Sequence, residues 1–293
     1  MSDPGDERTN TYVVNAEDVA ELARLMQQDR LLTDNMGGVL PEKEVELPER
    51  SRVLDLACGP GGWVLEMAFA YPKSEIIGVD ISPQVIDHAR TQAWSRGLEN
   101  AHFRVMNVMR PLDFPDASFD LINGRLMCAF MLPSAWPKLL AECRRLLKPG
   151  GVIRLTETEP PLSTSPAFER LMELGSQALK RAGQSFSPDG RHIGITPVLP
   201  RLVRQAGFMD VHLRASAIEW SMGTEAYYPV FKDYLVGLNQ IQPFLIRMGV
   251  VGKEEVEQLC QLAVAEMQQE EFCAIWTLLT VWGRCPASER QDA

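Results

Sequence analysis

The sequence predicts a three-layer α/β/α fold, and three observations support this prediction. Short apolar strands alternate with helical segments between about residues 52 and 157, a pattern typical of a parallel sheet covered by helices on both faces. The first strand runs into a glycine-rich turn at residues 58–62, and the second strand ends in an acid, Asp80. In such sheets, ligands bind at the carboxyl ends of the strands.

Composition and charge limit the possible functions. The chain has 293 residues, of which 45% are hydrophobic and 23% charged, as in ordinary globular proteins. This length suits one large domain, or a core domain with a substantial insertion. A net charge of −10 argues against nucleic acid as a partner. No apolar run of about 18 residues occurs, so no membrane span is expected.

The six cysteines form no C-x-x-C pair. We therefore expect reduced, mostly structural thiols, no metal site and a cytoplasmic location. Residues 1–10 are polar and acidic, and we expect them to be disordered and to form neither a signal peptide nor an anchor.

A helix is predicted from Ala16 to Arg30, with Asn15 as its N-cap. Three interpretations of this helix remain open. It packs on the core, it forms a lid over a ligand, or it is exchanged with another subunit in a homo-oligomer. The following loop, residues 36–41, is expected to enter the site region.

In the core, predicted strands and helices alternate regularly. Strands are predicted at residues 53–56, 75–79, 102–106, 119–123 and 152–156, with helices at 63–71, 83–96 and 134–147. Ser82 is a predicted N-cap, and Pro83 suits the first helical position, where a missing N–H costs nothing.

After residue 157 the regular alternation of strands and helices ends. Helices are predicted around 168–181, 196–207 and 224–270, with strands at 209–220 and 274–283. We therefore divide the chain into an N-terminal arm and helix (1–45), a ligand-binding core (46–157), a cap insertion (158–195), a continuation of the core (196–223), cap helices (224–271), and a final core strand and tail (272–293).

The glycine turn alone is a weak signal. The spacing of its glycines does not fit the G-x-G-x-x-G motif of nicotinamide and flavin binders, because position 64 is valine. The sequence also lacks the Gly-Lys-Ser/Thr of a P-loop. Asp80 follows Gly61 by 19 residues, and an acid at this point can accept both hydroxyls of a ribose. Two further signals are Met106-Asn107-Val108 after the third strand and Leu146-Leu147-Lys148-Pro149-Gly150-Gly151 before the fifth.

With these four motifs the chain resembles the class I S-adenosylmethionine-dependent methyltransferases. It is most similar to the small-molecule group that includes the ubiquinone/menaquinone-biosynthesis C-methyltransferases, closely over residues 50–157 and less closely to Gly283. The resemblance implies a Rossmann-like methyltransferase fold with an N-terminal helix and an α-helical cap. It also implies S-adenosyl-L-methionine as the cofactor.

The resemblance further implies the cofactor-binding residues. A loop under the methionine part comprises Asp55, Ala57, Gly59 and Gly61. The ribose and adenine contacts comprise Asp80, Ile81, Asn107 and Val108. The strand-four contacts to the amino group and carboxylate comprise Asn123, Gly124 and Arg125. Ala57 and Asn107 depart from the family, which commonly has Gly and Asp there, and Arg125 could equally be a structural ion-pair partner.

Aromatic and Met residues in the appended segments are compatible with a hydrophobic small-molecule substrate, or with plain core packing. Tyr12 is a candidate for closing over the cofactor, since an aromatic face suits a sulfonium. His192 is a candidate general base, or else a surface histidine. Glu157 and Glu159 are expected at the site mouth, as bases or substrate ligands, or simply solvated. The resemblance implies methyl transfer to C, O or N of a hydrophobic or aromatic small molecule from secondary or quinone metabolism. The alternative is a protein of the same fold that binds the cofactor but does not methylate, as a rearrangement catalyst or a regulatory subunit.

Overall fold

A computed structural model of the chain describes residues 12–14 and 19–287. Within these residues a single sheet has the order β3-β2-β1-β4-β5-β8. The strands are β1 (Arg52–Leu56), β2 (Glu75–Asp80), β3 (Ala101–Val105), β4 (Phe119–Arg125), β5 (Leu147–Thr158), β6 (Leu162–Ser163), β7 (Met209–Glu219) and β8 (Ala274–Arg284). Strands β1 to β5 are parallel, and β8 runs antiparallel between β5 and β7. The short β6 pairs with the first residues of β8.

Helices cover both faces of this sheet. They are α1 (Val19–Met36), α2 (Gly62–Ala70), α3 (Pro83–Ser95), α4 (Trp136–Leu146), α5 (Pro166–Arg181), α6 (Leu199–Gln205), α7 (Tyr227–Arg247) and α8 (Lys253–Met267). Because successive strand residues point to opposite faces, Val53 packs with α2 and α3, whereas Leu54 packs with α4 and α6. The predicted three-layer α/β/α fold is confirmed.

A third apolar cluster lies beyond the two faces of the parallel strands. It joins α1, α5, α7 and α8 to β8, with Phe168 and Trp220 packed edge to face at its centre. The predicted cap segments supply α5, α7 and α8, while the boundaries proposed for the six segments stay predictions. In the part of the chain that is described, no helix combines the length and apolarity needed to cross a bilayer.

Local signals placed the start of α3 correctly. The Ser82 hydroxyl accepts a hydrogen bond from the Val85 N–H at 3.3 Å, and Pro83 is the first helical residue. The prediction for β4 ended two residues early, at Asn123, because Gly124 is also paired with β1 and β5, and Arg125 with β5. Strand β5 starts at Leu147 rather than at residue 152, so the predicted turn at residues 149–151 lies within the span of the strand.

Helix α1 differs most from its prediction. It continues to Met36 rather than ending at Arg30, while the predicted N-cap Asn15 lies outside the described residues. It packs on α7, α2 and β7 of its own chain. The predicted subunit exchange through this helix stays a prediction.

Candidate functional site

A cavity of about 370 Å³ opens at the carboxyl ends of β1, β2 and β4. The chain order of the strands reverses between β1 and β4, which is where open α/β sheets bind ligands. Three parts of the chain form the walls. They are the strand ends and loops of the core, the inner side of α1 with the Tyr12 segment, and a set of apolar residues from α5, α7 and β8.

The turn after β1 lets a ligand approach the backbone. Ala57 and Gly59 both line the cavity and both have positive φ, 50° and 53°. A Cβ atom at Gly59 would meet no heavy atom within 4 Å, so the space above it is open. Ala57 adopts a left-handed conformation that costs an L-residue about 1–2 kcal/mol.

Gly61 has a different role from Gly59. Its φ is 84°, and a Cβ atom there would lie 2.6 Å from the Phe103 ring. Gly61 is not among the cavity-lining residues. It therefore permits close packing of the turn on β3, and of the predicted loop residues it is the one that the structure keeps away from the cavity.

Asp80 lies where the sequence predicts a ribose-binding acid. Its Oδ2 accepts from the Gly59 N–H at 3.1 Å and its Oδ1 from the Ser82 N–H at 3.0 Å. These bonds hold the carboxylate against the cavity, and each oxygen keeps acceptor capacity for a ligand. Burial raises the pKa of Asp80, so a hydrogen-bonding ligand would find a carboxylate that is poorly solvated.

Asp55 also lines the cavity. It is the last member of a buried series of hydrogen-bonded side chains. It accepts from Asn123 Nδ2 at 2.7 Å, Asn123 Oδ1 accepts from Arg154 Nη1 at 2.8 Å, and Arg154 pairs with Glu42. Burial raises the pKa of Asp55 to about 7. These contacts hold the Asp55 carboxylate in place, so the Asp55 side chain has little conformational freedom.

Asn123 and Gly124 do not reach the cavity. Asn123 is fully buried in the series just described, and a Cβ atom at Gly124 would lie 2.8 Å from Met127 Cε. Both residues belong to β4, and neither is a lining residue. The backbone contacts expected of these two residues stay a prediction.

The predicted adenine-side residues do come together. Ile81, Asn107 and Val108 all line the cavity beside Asp80. Asn107 Oδ1 accepts from the Met109 N–H at 2.9 Å, which orients the amide. An amide oxygen has a second lone pair, so Asn107 keeps the capacity to accept from a ligand amino group.

Arg125 is an ion-pair partner, as one of the two interpretations expects, and it also lines the cavity. It forms an ion pair with Asp29 of α1, and its Nη1 donates to Thr33 Oγ1 at 3.1 Å. It is also a cavity-lining residue, as is Asp29. The pair presents one positive and one negative group side by side on the same wall.

The sequence left open that α1 forms a lid over a ligand, but it did not single out the side chains that face the cavity. Arg24, Gln28 and Asp29 of this helix line the cavity. Arg24 donates to both carboxylate oxygens of Glu21, and both Arg24 and Gln28 donate to Asp233 of α7. No local sequence pattern predicts these contacts, because Asp233 lies more than 200 residues further along the chain. Helix α1 thus packs on the core and also covers the cavity.

Tyr12 precedes α1 and lines the same wall, as predicted for a residue that closes over a ligand. Its hydroxyl donates to Glu21 Oε1 at 3.0 Å. This bond joins the Tyr12 segment to the Arg24–Asp233 network, and so ties it to α7.

The two candidate bases lie away from the cavity. His192 is exposed, and only its neighbour Ile193 is a lining residue. Glu157 is fully buried and accepts from the N–H groups of Met127 and Cys128 at 2.9 and 3.1 Å. Burial raises its pKa to about 7. The carboxylate caps the 3-10 turn at Met127–Ala129 rather than facing a ligand.

Glu159 also forms hydrogen bonds within the protein rather than facing a ligand. Its oxygens accept from the N–H groups of Ile193, Gly194 and Thr196 and from the Thr196 hydroxyl. It holds the loop that contains His192. The loop at residues 36–41 was also expected near the site, but it is not part of the cavity wall. The Val39 carbonyl instead accepts from Trp63 Nε1 at 2.8 Å.

Comparisons with known proteins agree with this geometry. Residues 53–151 match the family model described as a methyltransferase domain. A demethylmenaquinone methyltransferase from Deinococcus radiodurans is 40% identical over 114 residues, which are 38% of this chain and 45% of that protein. A probable methyltransferase, ltbC, from Aspergillus luteorubrus is 30% identical over 162 residues, 53% of this chain and 56% of that one. The chain thus spans about half the length of these two curated relatives.

A solved structure supports the fold over a longer stretch. A putative methyltransferase from Bacillus halodurans C-125 covers 92% of this chain and 100% of its own, with a TM-score of 0.52 and 17% identity. The four sequence motifs, the sheet order and the family match converge on one conclusion. Residues 53–151 match a methyltransferase domain, and the chain around them has the fold of the Bacillus halodurans protein.

Proposed function

We propose that this protein is an S-adenosylmethionine-dependent methyltransferase that acts on C, O or N of a hydrophobic or aromatic small molecule. The observation that supports this best is the composition of the cavity. One continuous space joins the Asp80 and Gly59 surface of the core to an apolar wall from α5, α7 and β8. A volume of about 370 Å³ falls in the range of roughly 300–1,000 Å³ found for small-molecule sites.

The residues present fit the cofactor. The open space above Gly59 leaves room for a ligand against the backbone, and Asp80 keeps acceptor capacity for the ribose hydroxyls. Ile81, Asn107 and Val108 form a surface for the adenine. When bound, S-adenosylmethionine supplies an electrophilic methyl group on a sulfonium.

We assign the amino-acid end of the cofactor to Asp29 and Arg125. An α-amino acid carries an ammonium and a carboxylate, and this wall offers the two complementary charges as a neighbouring pair. Exchanging the internal ion pair for two pairs with the ligand preserves the local charge balance, so neither side chain is left as an uncompensated buried charge. Thr33 helps to hold the Arg125 guanidinium in place.

The cap side of the wall favours catalysis by positioning. Among the described residues of α5, α7 and β8 that line the cavity, none is His, Asp or Glu. Holding the acceptor in line with the methyl group provides much of the rate of such a displacement. Exclusion of water by α1 and Tyr12 further protects the reacting groups. An acceptor from quinone metabolism agrees with the name of one relative, the demethylmenaquinone methyltransferase.

The test combines cofactor binding with label transfer. Calorimetry should detect S-adenosylhomocysteine binding to the wild type, and Asp80→Ala should weaken it by about 10- to 150-fold, because a charge-assisted hydrogen bond of about 1.5–3 kcal/mol is lost. Asp87→Ala on the exposed side of α3 is the control. Incubation with methyl-labelled cofactor and a panel of phenols, indoles and naphthoquinols should label at least one acceptor.

Two results would contradict the proposal. Equal affinities for wild type and Asp80→Ala would remove the ribose assignment. Tight cofactor binding without transfer to any acceptor in the panel would favour a protein of the same fold that binds the cofactor but does not methylate.

A further inference from the structure

Gly175 is an unusual residue for its position. It lies in the interior of α5, at the tenth of sixteen residues, and it is not among the residues with positive φ. A glycine in a helix interior costs about 1 kcal/mol relative to alanine. The backbone conformation of α5 therefore does not require glycine here, and another reason must account for it.

The surroundings of Gly175 are empty. A Cβ atom at this position would meet no heavy atom within 4 Å, and Gly175 is a cavity-lining residue. Residues four apart lie on the same helix face, so Gly175 sits between Leu171 and Leu179. The missing side chain leaves a notch in this leucine row, and the notch opens into the cavity.

One part of the cavity wall is apolar. It consists of side chains from five parts of the chain, namely Phe130, Leu179, Ile193, Ile241 and Trp276. Trp276 Nε1 donates to Thr158 Oγ1 at 2.7 Å, so its only polar atom is already bonded. The charged residues of the cavity lining, Arg24, Asp29, Asp55, Asp80 and Arg125, belong to α1 and the core strands. The apolar part of the wall therefore favours an uncharged group, because a charged one would be desolvated against it.

We propose that Gly175 determines acceptor specificity, and that its notch receives the ring of an uncharged aromatic acceptor. This inference rests on the proposed methyltransferase function and adds the part of the site that selects the substrate. Aromatic rings bury a large apolar area at low conformational cost, and Trp276 and Phe130 are suitable neighbours for such a ring. In this proposal the glycine makes α5 less stable than alanine would, and it leaves the notch unfilled.

The chain offers a matched control, Gly237 in the interior of α7. Gly237 also lacks a positive φ, and a Cβ atom there would make only an ordinary contact, 3.9 Å from Arg24 Cδ. It does not line the cavity. Gly175→Ala and Gly237→Ala should therefore both stabilise the protein, raising its melting temperature by about 2–3 °C.

Ligand binding should separate the two variants. We expect 1-naphthol, measured by calorimetry in the presence of S-adenosylhomocysteine, to bind wild type and Gly237→Ala equally. Gly175→Ala should weaken this binding about tenfold or more, since one methyl group now occupies the space of the ring. Gly175→Leu should abolish it. All four proteins should bind S-adenosylhomocysteine with the same affinity.

Each other outcome is decisive. Equal 1-naphthol affinity for Gly175→Ala and Gly237→Ala would overturn the role of the notch. Failure of the wild type to bind 1-naphthol, while it binds S-adenosylhomocysteine, would overturn the aromatic acceptor. Failure of the wild type to bind S-adenosylhomocysteine would instead reject the proposed function itself. A fall in melting temperature for Gly175→Ala alone would mean that the space is needed for packing, against the proposal.

Discussion

At the scale of single residues, the cavity wall depends on side chains that are held by other side chains or by the backbone. Asp80 is oriented by two backbone N–H groups, and Asn107 by one. Arg125 is held by Asp29 and Thr33, both from a helix outside the core. Polar groups fixed in this way lose little further freedom when a ligand binds, which favours affinity.

The first prediction concerns Arg125. In Arg125→Gln the carboxylate of S-adenosylhomocysteine loses its partner, and the Asp29 carboxylate is left facing it. We expect the affinity for S-adenosylhomocysteine to fall about tenfold or more. The affinity for 5′-methylthioadenosine, which lacks the amino-acid part, should stay unchanged.

Calorimetry with both ligands checks this prediction. Arg30→Gln on the exposed face of α1 serves as the control. An equal loss for the two ligands would mean that Arg125 supports the whole site rather than the amino-acid end.

At the scale of elements, segments outside the core strands are attached by buried charged contacts. Helix α1 is joined to α7 through Arg24, Glu21 and Asp233. The loop before β1 is joined to β5 by Glu42 and Arg154, whose side chains are both 1% exposed. Losing one partner of such a pair leaves an uncompensated buried charge.

The second prediction follows for that loop. Glu42→Gln should lower the free energy of unfolding by about 3–5 kcal/mol, because the Arg154 guanidinium loses its counter-charge in the interior. Glu49→Gln removes a carboxylate from the exposed pair with Lys73, and should change stability by less than about 1 kcal/mol. Urea denaturation of the three proteins measures both values. Similar effects of the two substitutions would show that burial of the Glu42 pair has little energetic consequence.

At the scale of the whole molecule, two buried acids influence how stability depends on pH. Burial raises the pKa values of Asp55 and Glu157 to about 7 each, whereas unfolded Asp and Glu have values near 4. Between about pH 4 and 7 the folded state therefore holds protons that the unfolded state has released. Stability from these two groups is complete below about pH 4 and is lost as the pH rises to about 7.

The third prediction is the slope of that loss. Each group should lower the free energy of unfolding by up to about 1.4 kcal/mol per pH unit as the pH rises through this window. In Asp55→Asn the decline between pH 5 and 7 should be less steep than in the wild type by that amount. Denaturant unfolding at several pH values gives both slopes. Parallel slopes would mean that Asp55 is ionised throughout.

Several features could be predicted from the sequence because they depend on neighbours along the chain. The glycine turn, the Ser82 cap and the alternation of strands and helices are local patterns, and they led to the correct fold. The family resemblance that the motifs carry led to Asp55, Ala57, Gly59 and Asp80, which line the cavity. Ile81, Asn107 and Val108 follow the ends of predicted strands, so a small error in strand length did not move them from the wall.

The sequence by itself thus determined the layered fold and the core side of the site, since strand ends and tight turns are set by short-range patterns. The tertiary structure alone decided which distant residues complete it. Glu157, His192 and Asn123 have residue types suited to a site, yet burial, exposure and sheet pairing keep them from the cavity. Arg24 and Gly175 lack any local signature, because their roles arise only when α1 and α5 pack over the sheet and enclose the space between them.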